Sequence, residues 1–512
     1  MGGAAMRTAP VDYSDVQGLV RFGYRKMTQA AYVLVRVKSA SAARAWLRNA
    51  PVTSAVTMTP PPPTALHVAF TSAGLRALGV GEKTITGFSS EFVAGMTSDN
   101  RTRRLGDIGN NAPWRWEWGG APNGDDLPHL LVMFFAEPHD GGVEALMGRT
   151  MGSSWVEAFT IVRRLGTENL DGVEPFGFAD GISQPEIDWN EQRDVTAPVL
   201  DYSNVVALGE FLLGYKNEYQ KYTERPLLDP SPATESLLPA QDAPQKKDLG
   251  RNGTYLVMRQ LRQDVRAFWQ FVMNASGANA AAADRLAAAF VGRERDGSPL
   301  VSAQSRTIPG IGTDGDSIRL NQFTFDGDPS GVACPFGAHI RRANPRNADY
   351  LGHPTGLAKL LAAFGLGRAA FRDDLISSVR FHRVLRRGRE YGPGLTPEQA
   401  VRPAPPNDPE RGLHFICLNA NISRQFEFLQ NAWMANSKFS GLTGESDPLV
   451  GGREAIPGCP VTSDFNLQTA GGVRRRVSGV PQFVTVRGGA YFFLPSLSAL
   501  RYFASEAVVK SA

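Results

Sequence analysis

Apolar and polar positions along the first third of the chain predict strands that alternate with helices. Three apolar, β-branched segments read as strands: 31–38, 66–70 and 130–136. Helical spacing follows each of them: through Trp46, as far as Gly79 and across 141–151. The proline-rich stretch 59–63 predicts a loop between the first two units.

The second half of the chain repeats this plan. Apolar segments again predict strands, at 254–261, 413–419 and 491–495. Helical spacing again follows: through Trp269, across 423–433 and across 497–503. At an offset of 223 residues, Tyr32 matches Tyr255, Arg36 matches Arg259 and Trp46 matches Trp269. Each half therefore predicts an α+β unit with an antiparallel sheet covered by helices. The polar stretch 231–249 is a linker or a long surface loop.

Composition narrows the class of protein. The 512 residues are 42% hydrophobic and 20% charged, and the net charge of +4 is too dilute to indicate nucleic-acid binding. Three cysteines, Cys334, Cys417 and Cys459, are too few for a disulfide framework, and their odd number fits a reducing compartment. The first residues lack a basic start with an apolar core, and no segment reaches the length of a membrane span. We expect a soluble, cytoplasmic protein without nucleic-acid or membrane partners.

The segment 334–346 combines one histidine with several arginines. His339 follows an apolar run, and Arg341, Arg342 and Arg346 come after it. A neutral imidazole is a good iron ligand when an acceptor holds its second nitrogen. Guanidinium groups suit the carboxylates of a porphyrin. Taken alone, however, a single histidine is more often an ordinary residue beside a basic turn.

Two further motifs place a charged group beside glycine. In Gly177-Phe-Ala-Asp180-Gly181, glycines flank a carboxylate and let the backbone turn sharply towards a ligand. A plain Asp-Gly turn is the alternative. In 382–388, a Val-Leu step leads to Arg386 just before Gly388. A solvated basic strand end is the alternative there.

Together, these motifs resemble the dye-decolourising peroxidases. Further segments share the resemblance, and they lie at 15–18, 91–96, 104–107, 297–300 and 487–495. The resemblance implies two ferredoxin-like domains, at 1–225 and 226–512. The first would carry the GxxDG motif, and the second would bind haem near the domain interface.

The resemblance also implies a role for individual residues. By it, His339 is the proximal iron ligand, Asp180 the distal carboxylate and Arg386 the distal arginine. Our hypothesis for the acceptor behind His339 is Asp447. The other residues expected to contact haem are Gly181, Arg341, Arg346, Leu413 and Phe415, the last two as the roof of the distal pocket.

The implied activity is that of a haem-dependent peroxidase. Such an enzyme reduces hydrogen peroxide and oxidises dyes, phenols or other aromatic donors by one-electron steps through a ferryl intermediate. Because the chain has no CxxCH, we expect non-covalent haem b. The alternatives are a haem-binding or haem-handling protein with little turnover and an interaction module without a cofactor. The sequence leaves an oligomer possible.

Three other features have weaker implications. The 47 residues from His339 to Arg386 indicate an inserted loop near 350–372 that would shape substrate access. The GxGxxG pattern at 310–315 has no preceding strand, so we reject a dinucleotide site. The tryptophans at 114, 116 and 118 are expected to be structural, although surface Trp or Tyr side chains can relay electrons from bulky donors.

Overall fold

A computed structural model describes residues 11–121, 124–193, 203–301, 320–321, 323–346, 379–439, 442–454 and 462–505. The expected loop at 350–372, the GxGxxG pattern at 310–315 and Cys459 lie outside these residues.

Strands and helices alternate in both halves. The strands of the described residues are β1 (Gln29–Val37), β2 (Thr64–Phe70), β3 (Leu130–Ala136), β4 (Phe159–Gly166), β5 (Glu186–Asp188), β6 (Val205–Ala207), β7 (Leu227–Leu228), β8 (Lys247–Asp248), β9 (Thr254–Gln263), β10 (Leu385–Arg386), β11 (Arg389–Tyr391), β12 (Gly412–Asn419), β13 (Phe465–Leu467), β14 (Arg475–Val477) and β15 (Val484–Leu494). The α-helices there are α1 (Ala40–Asn49), α2 (Ser72–Ala77), α3 (Glu82–Ile85), α4 (Ser90–Ala94), α5 (Asp99–Leu105), α6 (Gly142–Thr150), α7 (Ser153–Ala158), α8 (Val265–Ala275), α9 (Ala280–Val291), α10 (His339–Ala343), α11 (Pro397–Ala400) and α12 (Leu497–Ala504). Ser423–Glu427 and Leu429–Ala435 are π-helical.

One antiparallel sheet runs through both halves. In the first half the strand order is β2-β3-β1-β4, and in the second it is β15-β9-β12, with β10 and β11 both beside β12. Both orders are those of a ferredoxin-like unit, so the predicted α+β fold is confirmed. The halves join where Phe70 of β2 pairs with Phe493 of β15. The domain boundary at 225/226 stays a prediction.

The repeated strand-helix unit is held by equivalent tryptophans. Trp46 of α1 packs edge-on against Trp155 and Phe159, with ring centroids 5.0 and 5.3 Å apart. Trp269 of α8 packs edge-on against Phe268 at 5.3 Å. Burial of side chains of this size contributes about 1.5–3 kcal/mol each. Trp46 thus joins α1 to β4, and Trp269 joins α8 to the segment around Phe176, whose carbonyl accepts from its Nε1 at 3.0 Å.

Both faces of the sheet are buried. Along β1, Val33 and Val35 face one apolar cluster, whereas Tyr32 and Leu34 face another. Cys334 and Cys417 are buried, and burial raises the pKa of the Cys334 thiol to about 12. No helix among the described residues is both long enough and apolar enough to span a bilayer.

Candidate active site

A cavity of about 290 Å³ lies between the sheet of the second half and a loop of the first half. The loop comprises residues 174–185, and the π-helical segments 423–435 close another side. The strand residues that line the cavity are Arg259, Leu261 and Gln263 on β9, Leu413 and Phe415 on β12, and Val484 and Val486 on β15. A mainly apolar hollow with a few polar groups is typical of cofactor and substrate sites.

His339 lines this cavity at the first position of α10. Its Nδ1 donates to Oδ2 of Asp447 at 2.8 Å, so Nε2 is the nitrogen available to the cavity. Burial alone would lower the pKa of His339, but the Asp447 carboxylate outweighs this effect and raises it. The acceptor hypothesised from the sequence therefore stands behind the imidazole.

Asp447 is fully buried and held in place by its own turn. Its Oδ1 accepts the backbone N–H groups of Leu449 at 2.9 Å and Val450 at 3.0 Å. Burial raises the pKa of Asp447. His339 and the Val450 N–H lower this pKa by more than burial raises it, so it lies below its ordinary value. The carboxylate stays ionised and orients the imidazole.

Asp180 and Arg386 meet at the same cavity. Nη1 of Arg386 donates to Oδ1 of Asp180 at 3.0 Å, and each side chain keeps about 30% of its surface exposed. Burial raises the pKa of Asp180, but the Arg386 guanidinium and the Gly181 N–H more than offset this, so the pKa is lowered. Gly177 and Gly181 have φ of +95° and +75°, conformations that only glycine adopts readily. The GxxDG spacing is thus required by the loop that presents Asp180.

Glu174 organises that loop from within. Its two oxygens accept the N–H groups of Phe176 at 3.0 Å and Phe178 at 3.1 Å, and Gln263 of β9 donates to it at 2.8 Å. Burial raises the pKa of Glu174 to about 7. These bonds tie the loop of the first half to a strand of the second.

Two buried arginines add positive charge to the cavity wall. Arg293 donates through Nη1 to the carbonyls of Gly297 and Leu320, but its Nη2 has no hydrogen-bond partner among the described residues. Burial, with Arg346 and Arg386 nearby, lowers the pKa of Arg293 to about 9. Arg346 bonds to the carbonyls of Asn321 and Phe323 and also lines the cavity. A buried guanidinium donor without a partner indicates an anionic ligand.

The expected haem contacts divide into two groups. Leu413, Phe415 and Arg346 line the cavity. Arg341 is not among the residues that line the cavity, and its expected contact with porphyrin stays a prediction. It forms an ion pair with Asp328 at 2.9 Å and packs between two phenylalanine rings. Gly181 shapes the loop through its φ, and its carbonyl accepts a bond from Arg25 at 3.1 Å.

Comparison with known proteins found similar sequences and similar structures. No family model matches the chain. It is 28% identical to the dye-decolorizing peroxidase AauDyP1 of Auricularia auricula-judae, over 97% of this chain and 88% of that protein. It is 32% identical to the multifunctional dye peroxidase DyP2 of an Amycolatopsis strain, over 66% of this chain and 62% of the other. A crystal structure of the A. auricula-judae enzyme superposes with a TM-score of 0.69 at 26% identity, covering 97% of this chain and 100% of the other. In sequence and in fold, the chain is similar to the dye-decolourising peroxidases, and these relatives and structures support that family for it.

Dye-decolourising peroxidases are haem enzymes, and the residues present here fit haem. His339 offers one nitrogen backed by a buried carboxylate, which suits an iron ligand. Among the described residues, no cluster of His, Cys, Asp or Glu side chains is built to hold a bare metal ion. A porphyrin carboxylate would pair with Nη2 of Arg293, a buried donor that has no partner among the described residues.

Arg293 was not among the residues singled out from the sequence. It lies four positions before the Gly297 segment that shares the family resemblance, and this proximity was the only available signal. A surface arginine with the same neighbours would look identical in sequence, because burial of the side chain depends on the cavity.

Proposed function

We propose that this dye-decolourising peroxidase reduces hydrogen peroxide and oxidises dyes, phenols or other aromatic donors, with non-covalent haem b bound at His339. The observation that carries the proposal is the Asp180–Arg386 pair, which faces the same cavity as the Asp447-backed histidine. A solved relative is a complex with 2,6-dimethoxyphenol, which supports phenols as donors. The cytoplasmic location and the absence of nucleic-acid and membrane partners stay predictions.

Haem, when bound, supplies the iron and the conjugated ring that accept two oxidising equivalents from peroxide. Asp180 acts on the proton: its carboxylate takes the proton from one peroxide oxygen and delivers it to the other. The Arg386 guanidinium stabilises the negative charge that grows on the departing peroxide oxygen. His339, oriented by Asp447, would hold the iron, while Arg293 and Arg346 would hold the porphyrin carboxylates.

The alternative of a haem-handling protein with little turnover needs neither a proton acceptor nor a cation beside the iron. Asp180→Asn and Arg386→Leu separate the two functions. The control is the surface pair Asp99 and Arg103, whose side chains are 83% and 69% exposed, changed to Asn and Leu. Loss of the base is expected to slow peroxide consumption by about 10²–10⁴-fold, and loss of the cation by roughly 10²–10³-fold.

The dependence on pH assigns the roles. Since the Asp180 pKa is lowered, the parent's rate should persist below the ordinary carboxyl range and fall only as pH drops through this pKa. Arg386→Leu removes the main group that lowers the pKa of Asp180. The fall in rate at acidic pH, the acid limb of the pH–rate profile, should therefore move to higher pH. Asp180→Asn should flatten the limb. Stopped-flow mixing with peroxide across pH measures this, and an Asp180→Asn enzyme that keeps the parent's rate and limb would remove Asp180 from the mechanism.

The identity of the cofactor has its own test. Acidified butanone should extract the pigment, because no covalent attachment is expected, and a pyridine haemochrome spectrum of the extract distinguishes haem b from other haems. His339→Ala should fold yet lose most of its haem or shift its Soret band. Pigment that remains with the protein after extraction would contradict non-covalent binding.

A further inference from the structure

Gln184 joins the loop that carries Asp180 to the strand that carries Arg386. The backbone N–H of Arg386 donates to Gln184 Oε1 at 3.0 Å, and Gln184 Nε2 donates to the Arg386 carbonyl at 3.3 Å. The loop belongs to the first half of the chain and β10 to the second. One side-chain amide thus binds both main-chain groups of the distal arginine.

The direction of the β10 backbone explains this contact. β10 pairs with β12 on one side, where the N–H of Arg387 donates to the carbonyl of Ile416 at 2.8 Å. In an antiparallel pair, neighbouring residues direct their backbone groups to opposite sides. The N–H and C=O of Arg386 therefore face away from β12, and the Gln184 carboxamide satisfies them as the peptide group of a further strand would.

The Arg386 N–H depends on Gln184 more than the carbonyl does. That carbonyl also accepts from Nη1 of Arg387 at 3.1 Å, so it keeps one donor if Gln184 is lost. Among the described residues, the Arg386 N–H donates to Gln184 Oε1. The direct contact of the Arg386 side chain with the loop backbone is long, 3.5 Å from Nη2 to the carbonyl of Ser183.

We propose that Gln184 is the positioning residue of the distal pair, fixing the Arg386 backbone so that its guanidinium meets Asp180. The inference rests on the proposed function and extends it to a residue that does not touch the reacting atoms. Asp180 and Arg386 lie 206 positions apart in sequence, so their geometry depends on contacts between loop and strand. A displacement of about 1 Å at a reacting group can cost roughly 10²-fold in rate.

The chain contains a matched control for this clamp. Gln17 binds the backbone of Val68 on β2 in the same way, accepting from its N–H at 3.1 Å and donating to its carbonyl at 2.9 Å. Gln17 lies outside the residues that line the cavity. Gln17→Met removes an equivalent amide clamp and should lower thermal stability without changing the peroxide rate per bound haem.

The experiment compares Gln184→Met and Gln184→Glu with this control by two measurements. Hydrogen exchange of the Arg386 amide is measured in the haem-free chain, and peroxide consumption per bound haem is measured across pH. In Gln184→Met, the Arg386 amide hydrogen should exchange faster, and the peroxide rate should fall by about 10–10²-fold. The acid limb of the pH–rate profile should move to higher pH, because Arg386 holds Asp180 less firmly. Gln184→Glu keeps an acceptor for the N–H and should retain the protection and more of the rate. If Gln184→Met does not fold, Gln184→Glu and the shorter Gln184→Asn give the same comparison.

The outcomes separate this inference from the proposed function. Faster exchange with an unchanged rate and limb would show that Gln184 is only structural and would overturn the proposal, as would unchanged exchange. If Asp180→Asn and Arg386→Leu also leave the rate unchanged, the assignment of the distal pair fails instead.

Discussion

Replacement of Asp447 by Asn tests the proximal side of the site most directly. The two side chains have nearly the same size, but Asn must place an NH₂ group where one carboxylate oxygen stood. One oxygen of Asp447 accepts from His339, and the other accepts two backbone N–H groups. The NH₂ group therefore faces either the imidazole or the turn.

The two orientations have unequal costs. Facing the turn, the NH₂ group would forfeit two hydrogen bonds to backbone donors, each worth about 1.5–3 kcal/mol when the acceptor is charged. Facing His339, it reverses the direction of one bond: the NH₂ group donates to Nδ1, and the imidazole proton must move to Nε2. We expect the second orientation because it preserves the turn. Since Nε2 is the nitrogen left for iron, haem affinity should fall by about 10–100-fold.

Transfer of haem from the holoprotein to excess apomyoglobin, followed at the Soret band, measures this loss. The control is Asp248→Asn, another buried carboxylate, which pairs with Arg225 away from the cavity. The control should lose stability but keep its haem. A parental rate of haem transfer and a parental spectrum in Asp447→Asn would refute the reasoning.

Three other changes have definite expected results. Arg293→Leu should weaken haem binding about 10–100-fold, the equivalent of one charge-assisted hydrogen bond of about 1.5–3 kcal/mol, as measured by titration of the haem-free chain. Trp114 is 74% exposed, and the Arg115 guanidinium lies over its ring, 4.4 Å from the centroid. We expect this side chain to be the entry point for electrons from bulky dyes. Trp114→Phe should therefore slow dye oxidation but not that of a small phenol, and equal loss for both would contradict this role. Gly388→Ala would place a Cβ 2.5 Å from the carbonyl oxygen of His414, so urea unfolding should show a loss of about 1–3 kcal/mol.

Periodicity predicted the main elements of the fold because each buries an apolar face. The strands at 31–38, 66–70 and 254–261 and the helices after them lie where their patterns placed them. β4 was not predicted, since the exposed polar residues Thr160, Arg163 and Arg164 interrupt its apolar pattern. The π-helical form of 423–435 was also beyond prediction, because it depends on packing rather than on helical spacing.

The site was predictable where chemistry depends on neighbours in sequence. Local sequence patterns mark two of its residues: Asp180 lies between two glycines, and Arg386 shortly precedes Gly388. Arg341 lies in the same basic segment as Arg346, but its ion-pair partner Asp328 comes from a separate turn, which sequence spacing does not indicate. Contacts between distant segments, such as Gln184 with Arg386, leave no mark on sequence spacing.

The junction between β2 and β15 bears on the order in which the chain folds during synthesis. β2 leaves the ribosome long before β15, the strand that meets it at Phe70, because β15 lies far downstream in the chain. Until then, the first half presents an open strand edge, the kind of surface that recruits other chains into aggregates. Gln17, made before β2, already caps the Val68 backbone on this edge, and it also donates to the carbonyl of Pro495 once β15 arrives. The same side chain can thus protect the nascent half and later join it to the completed protein.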